Sequence, residues 1–268
     1  AATSRPARAA VKTSAHIVIA GSGLGGVAIA NRLARELDGA KITIVDRKEI
    51  HNYQPGYTLV ATGIWPVGKV SDRNADLLPG GVEWVKDMAA GFEPDASTLI
   101  TEGGQRIRYD YLVVATGLHL DYAQIEGMDV SAIGANGLTS VYPGPQAAQA
   151  TWLAMDAFRR QGGEALMTLP ATPLKCAGAP LKMTFMLVDR LREAGTQAAS
   201  KVSFHSALDN IFSVKPVNDD VLRRWADLDV PVTFNSKLVG IDIGARRATF
   251  LTPEGERNEL GYDFIHVV

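Results

Sequence analysis

One cysteine, Cys176, occurs in the 268 residues. That excludes an internal disulfide and any zinc site built on several cysteines. Neither sign of charge is in excess: 27 Lys and Arg face 29 Asp and Glu, a net charge of −2. The basic footprint of a nucleic-acid binder is therefore missing, and nothing points to an acidic disordered tail. No apolar run reaches the ~18–20 residues of a spanning helix. The nearest approach is 14–31, which lacks Asp, Glu, Lys and Arg, follows Arg5, Arg8 and Lys12, and carries Ala28-Ile29-Ala30 near its end. This has the outline of a secretory signal, but four glycines between 21 and 26 interrupt it and would spoil a helical segment. Residues 1–14 hold three basic residues and no acidic one, and read as a flexible leader or the remnant of a transit peptide. There is no repeat and no low-complexity tract.

What is present suits an ordinary globular chain: 46% hydrophobic, 21% charged and 26 glycines. At ~150 residues per domain the length suggests about two domains. Ala15–Ala20 is short, apolar and β-branched, and predicts a buried strand. Glycines follow, then a helix from Gly25 to Leu37 and a second strand over Lys41–Asp46. Strand, helix and strand in about 32 residues make one βαβ unit, hence a parallel sheet. Asn52–Val67 reads as an aromatic loop with Pro and Gly. Gly81–Trp84 and Thr98–Ile100 are short strand candidates, and Tyr109–Ala115 is a strongly apolar strand ending at Thr116-Gly117. Residues 118–145 show turn residues without a period, as a linker would. Beyond them, helices are expected at Gln146–Gln161, Leu181–Ala194 and Asp219–Leu228. The second of these carries Leu181, Phe185, Val188 and Leu191 on one face. Strands are expected at Ala165–Leu169, Val202–His205, Pro231–Asn235, Lys237–Asp242, Thr249–Leu251 and Phe264–Val268.

Gly21-Ser22-Gly23-Leu24-Gly25-Gly26 fits G-x-G-x-x-G. Gly21 permits the tight turn, Gly23 lets the backbone approach a pyrophosphate, and Gly26 lets the helix pack close to the strand. The motif follows a strand, opens a helix, and has Asp46 twenty residues beyond Gly26, placed for ribose hydroxyls. Cys176 sits just before a helix that Pro180 can start, with Lys175 and Lys182 nearby. A helix N-terminus and neighbouring cations favour thiolate over thiol. A buried structural cysteine remains the alternative on environment alone. After Ala165–Leu169 the chain reads Pro170-Ala171-Thr172-Pro173-Leu174-Lys175-Cys176, with no second glycine fingerprint, and two prolines remove backbone donors. Nicotinamide-dinucleotide binding in the usual manner is not expected there. His51, His119 and His205 are proton-shuttle candidates only, and each reads more simply as structural.

Asp110–Gly117 (DYLVVATG) resembles the D-x-L-V-V-A-T-G segment of flavoproteins with two dinucleotide-binding domains. Lys175–Lys182 (KCAGAPLK) resembles K-C-A-G-A-P-x-K of the sulfide:quinone oxidoreductases, and His51–Val60 (HNYQPGYTLV) resembles that family's H-x-Y-Q-P-G-[WY]-T-x-V. Ile211–Lys215 resembles its I-F-G-V-K, with Ser213 in place of the glycine. The resemblance runs from about residue 15 to the end.

It implies an α/β fold: an FAD-binding, Rossmann-like three-layer domain over 15–118, and a similar Rossmann-like domain over 119–268 carrying a redox cysteine loop. It implies FAD as cofactor, held at the pyrophosphate by Gly21 to Gly26 (with Ser22 and Leu24 between) and on the adenosine side by Asp46 and Arg47. Gln54, Pro55 and Gly56 would lie along the flavin ring, and Thr116 and Gly117 would close the pocket. Cys176 would be the redox cysteine and Lys182 a nearby cation. Hydrosulfide would attack a sulfur bridge on Cys176, the released thiolate would reduce the flavin, and two electrons would pass to a quinone. Sulfide and quinone are the implied substrates, with peripheral association at a bacterial or mitochondrial inner membrane and a homo-oligomer as an option. The flavoprotein subunit of a flavocytochrome c sulfide dehydrogenase, a type II NADH:quinone oxidoreductase and a non-catalytic flavin-binding protein are the alternative readings. Two departures matter: the family uses a further cysteine, and none follows Cys176 or occurs in 118–150, and the chain ends on an expected strand, before the family's later FAD-contacting segment and its C-terminal quinone- and membrane-binding region. These residues are therefore expected to be the N-terminal portion of a longer protein, unable to turn over alone.

Overall fold

The computed structural model describes residues 10–268. They pack as two units, one of residues up to 52 and 71–119, the other of 53–70 and 120–268. Residues 1–9 of the expected leader lie outside the described residues; Val11–Lys12 pairs in parallel with Leu37–Asp38.

In the first unit, His16–Ala20, Lys41–Val45, Val82–Val85 and Tyr111–Val114 form a parallel sheet. The order is Tyr111–Val114, His16–Ala20, Lys41–Val45, Val82–Val85. The central strands are apolar on both faces because both faces are covered. Val18, Ala20 and Val45 pack with Leu99 and Ile107. Ile19, Ile42 and Ile44 pack with Ala30 of the helix Leu24–Glu36. Leu99 and Ile107 belong to an antiparallel meander of Ala89–Glu93, Thr98–Thr101 and Arg106–Arg108. Helix, parallel sheet and meander make three layers, as expected. Two of the meander's strands do not announce themselves in the sequence: Ala89–Glu93 is built on Ala and Gly, poor strand formers, and Arg106–Arg108 has three residues, two of them charged.

The second unit has a five-stranded parallel sheet ordered Leu138–Thr139, Phe264–His266, Gly163–Leu169, Ser200–Ser206, Val232–Thr233. Helices Pro145–Gln161, Gly178–Ala194 and Lys215–Ala226 alternate with its strands. Leu181, Val188 and Leu191 are buried and Phe185 packs beside them, so the expected face is the one covered. Lys237–Asp242, Arg247–Leu251 and Arg257–Gly261 form a separate antiparallel meander. Phe264–His266 is an interior strand with a neighbour on each side.

Three differences from the sequence reading have physical causes. The linker contains a strand: Leu138–Thr139 is buried and bonds to the last strand, two residues being too few for a visible pattern. Residues 53–70 pack with the later part of the chain, where Tyr57, Val60, Ala61 and Val70 join the core of Tyr142, Ala148 and Met155. Proximity in sequence to the first sheet favoured the other assignment, but these apolar groups find their covering surface elsewhere. The helix Lys215–Ala226 starts four residues before the expected Asp219, because Pro216 fits the first turn, where an N–H is not needed.

Candidate functional site

In the first unit, the strand His16–Ala20 delivers the chain into the glycine loop, and the helix begins at Leu24 with Gly23 as its cap. Gly21 adopts φ +104°, and a Cβ there would overlap the Ala115 carbonyl oxygen and approach Thr116 Cα at 3.2 Å. The loop thus turns directly against the end of the Tyr111–Val114 strand, which brings Ala115 and Thr116 beside it, with Gly117 next in the chain. A Cβ on Gly26 would overlap the Gly21 carbonyl oxygen, so the helix lies as close to the strand as backbone allows. Around Gly23 a Cβ would meet nothing within 4 Å.

No side chain caps this helix and no acid sits in its first turn. Val27 N–H reaches back to the Gly23 oxygen (3.0 Å), and the amides before it have no partner inside the helix. The arrangement suits an anion: open backbone at Gly23, free amides and the positive end of the helix dipole. Leu24 is exposed and Gly25 is clear of clashes.

Ser22 and Asp46 have other duties. Ser22 is fully buried and donates from its N–H (2.7 Å) and its hydroxyl (3.0 Å) to Asp46 Oδ2. Lys48 N–H donates to Asp46 Oδ1 at 2.8 Å. Three protein donors therefore orient the carboxylate and leave it one accepting direction of the roughly four a carboxylate offers. Buried Asn74, which the sequence reading missed, donates to Ser22 Oγ (2.7 Å) and to the Lys48 carbonyl (2.5 Å), while its own Oδ1 is buried without a partner. Nothing in the local sequence distinguishes Asn74 from any residue opening a short helix. Arg47 ion-pairs with Glu102 at 2.9 Å, both exposed.

In the second unit, the strand Gly163–Leu169 ends at the proline-bearing loop 170–177, and the helix Gly178–Ala194 follows. Cys176 is exposed at the end of that loop. Its carbonyl accepts from Ala179 N–H (3.1 Å) and from the Tyr142 hydroxyl (2.9 Å). Lys175 Nζ donates to the Tyr142 carbonyl (3.1 Å) and lies over that ring. Tyr142 is buried; desolvation first, then electrostatic coupling to Cys176 and Tyr122, pushes its phenol well above the ordinary value, so it remains a donor. The sequence reading missed Tyr142 because it lies in the turn-rich stretch taken as linker. Lys182, one turn into the helix, places Nζ 3.4 Å from Thr58 Oγ1. Thr58 follows Gln54-Pro55-Gly56, a short turn whose Gly56 is buried while Gln54 and Pro55 are exposed. The 54–56 and 176–182 motifs thus share one unit; Gly21 to Gly26, Asp46, Arg47, Thr116 and Gly117 belong to the other.

The histidines divide clearly. His205 is buried and stacked on Phe250 at 4.4 Å, its ring nitrogens within 3.1 Å of Ser203 Oγ and 3.4 Å of Ser236 Oγ. Burial pushes it down to about 4. That is a structural imidazole. His51 has a buried Nδ1 without a partner, and His119 is exposed.

Comparison with known proteins places the chain. The model for the pyridine nucleotide-disulphide oxidoreductase family matches residues 15–152. The mitochondrial sulfide:quinone oxidoreductase of Mus musculus is 33% identical over 262 residues, covering 96% of this chain and 56% of that protein. Its counterpart in Dictyostelium discoideum is 35% identical over 259 residues, with the same coverages. The X-ray structure of the Aquifex aeolicus sulfide:quinone oxidoreductase superposes with a TM-score of 0.78 at 21% identity, over 94% of this chain and 58% of that one. The chain spans little more than half the length of the curated relatives it matches. With a glycine loop of the right geometry inside the matched segment, the chain belongs to the pyridine nucleotide-disulphide oxidoreductase family and is homologous to the sulfide:quinone oxidoreductases.

Proposed function

We propose that the protein to which this chain belongs oxidises sulfide to sulfane sulfur and passes the two electrons to a quinone through FAD. The observation that carries this reading is the loop after Gly163–Leu169. At the end of a parallel strand, where a second dinucleotide fold would present glycines, this chain presents an exposed cysteine behind two prolines. The names of the relatives supply the substrates.

The residues of the first unit fit the cofactor. The amides of Gly23 to Gly26 would hold the pyrophosphate, Asp46 would use its remaining accepting direction on a ribose hydroxyl, and Arg47 would flank the adenosine side. Thr116, beside Gly21, and Gly117 after it would border the pocket. FAD, when bound, supplies a two-electron acceptor that a thiol can reduce and a quinone can reoxidise. Cys176 would carry the sulfur bridge that hydrosulfide attacks: a new S–S bond forms to the incoming sulfur, the bridge bond to Cys176 breaks, and the Cys176 sulfur leaves as the thiolate that supplies the electrons. The Lys182 ammonium, steered by Thr58, offsets negative charge that develops beside it. Overall, sulfide loses two electrons and the quinone gains two electrons and two protons.

Association with a membrane is part of the proposal, since the electron acceptor is a lipid-soluble quinone. Among the described residues no helix is long and apolar enough to cross a membrane. The test is quinol formation by the purified holoprotein with sulfide and a water-soluble quinone. One quinol per sulfide is expected, and none with Cys176→Ser; equal activity in that variant overturns the reading.

A further inference from the structure

Tyr142 touches the cysteine loop at two points. Its hydroxyl donates to the Cys176 carbonyl at 2.9 Å, and its own carbonyl receives the Lys175 ammonium at 3.1 Å. The Cys176 carbonyl also accepts from Ala179 N–H, the first bond of the turn that opens the helix. That peptide is therefore held from the helix side and from the tyrosine side together. Tyr142 is itself anchored. It is buried in the main core of the second unit with Leu169, Leu181 and Met183. Its N–H lies 3.3 Å from Ser140 Oγ, which bonds Tyr122 OH at 2.7 Å, and Thr151 Oγ1 bridges the Ser140 backbone. Cys176 and Lys175 are exposed, whereas the group gripping them is not. Prolines 170 and 173 deprive the loop of backbone donors, so side chains must supply its order.

We propose that Tyr142 is the positioning residue for Cys176, fixing through its hydroxyl the peptide that carries the reactive thiol. This rests on the redox role given to Cys176 above. A nucleophile held in one place reacts faster than one on a loose loop, and displacement by about 1 Å can cost about 100-fold in rate. The tyrosine acts through the Cys176 main chain, to which its hydroxyl donates.

The experiment compares wild-type holoprotein with Tyr142→Phe, which deletes one oxygen and keeps the ring in the core. Hydrogen exchange is followed on peptides covering 171–178, and the rate of flavin reduction is followed against sulfide concentration. In Tyr142→Phe, exchange in that segment rises while that of Lys237–Leu251 stays unchanged. The limiting reduction rate falls about 10-fold or more, with the half-saturating sulfide concentration and the quinone-driven reoxidation rate unchanged. A general loss of structure would instead lower flavin content and both half-reactions. Unchanged exchange overturns the proposal, and so does raised exchange with an unchanged limiting rate. Should wild-type flavin not respond to sulfide, the functional reading fails, and exchange alone decides whether Tyr142 orders the loop. Lys175→Met, which cuts the second anchor at an exposed site, gives the same readouts if Tyr142→Phe does not fold.

Discussion

Lys182 Nζ lies 3.4 Å from Thr58 Oγ1 although 124 residues separate them in the chain. The contact joins the helix that follows the cysteine loop to the turn that carries Gln54-Pro55-Gly56. Two stretches that resemble one family's motifs at distant places in the sequence are thus held in one unit. Thr58→Val keeps the shape and removes the acceptor; it should cost about 1 kcal/mol in stability. Lys182→Met should slow reduction of the flavin by sulfide while Lys182→Arg retains most of the rate. Stopped-flow absorbance checks the rates; equal rates for all three proteins would remove Lys182 from the site.

The glycine loop gives the sharpest structural prediction. Gly26→Ala places a methyl group on the Gly21 carbonyl oxygen, and backbone on backbone cannot yield as a side chain can. The helix must move off the strand, at a cost of about 2–3 kcal/mol, and flavin content should collapse. Gly23→Ala, whose methyl group meets only open space in the protein, should leave the fold stable and weaken flavin retention. Denaturation midpoints and the flavin-to-protein absorbance ratio separate the two; a Gly26→Ala protein with normal midpoint and flavin contradicts the geometry.

Asp46 holds the glycine loop through Ser22. In Asp46→Asn the position of Oδ2 becomes an amide or a neutral oxygen opposite Ser22 N–H and hydroxyl, and a charge-assisted pair of bonds is lost. About 2 kcal/mol of stability should go with it. Ser22→Ala alone should cost less, since the N–H bond survives. If Asp46→Asn changes only flavin affinity, the carboxylate is not the structural acceptor described.

Acid should destabilise the protein through its buried histidines. His205 sits at about 4 in the folded state against 6.5 when free, because burial disfavours the imidazolium. Between those values the unfolded chain binds more protons, so stability is complete above pH 6.5 and falls as pH drops to about 4. The loss reaches about 3 kcal/mol from His205. Fully buried His266, pushed down to about 3 by the same cause, adds a slope of the same sign. Urea midpoints across this range should show the fall, and His205→Gln should flatten part of it; a pH-independent midpoint from 7 to 4.5 would contradict the burial.

Much of this was legible in the sequence. The βαβ unit, the Gly21–Gly26 loop and the amphipathic face of Leu181, Val188 and Leu191 are patterned by period and spacing, which local physics enforces. Residues 53–70 were not assignable to the second unit, because a hydrophobic segment states that it must be covered and not by what. Tyr142 and Asn74 were invisible for a related reason: each acts through hydrogen bonds to residues distant in the chain, Cys176 and Ser22, and neither residue type nor neighbours mark such a partner. Asp46 was legible as an acceptor, yet its first partners are Ser22 and Lys48, which only the folded loop brings to it.

On the proposed reading Cys176 passes electrons from sulfide to the flavin, and the 170–177 loop binds no nicotinamide. The most direct test is anaerobic flavin absorbance of the holoprotein on addition of sulfide, with NADH in a parallel cuvette. Bleaching by sulfide, recovery on adding a quinone, no sulfide response in Cys176→Ser and no response to NADH are expected. Bleaching by NADH with none by sulfide would contradict it, and would make the 170–177 loop a nucleotide-binding element.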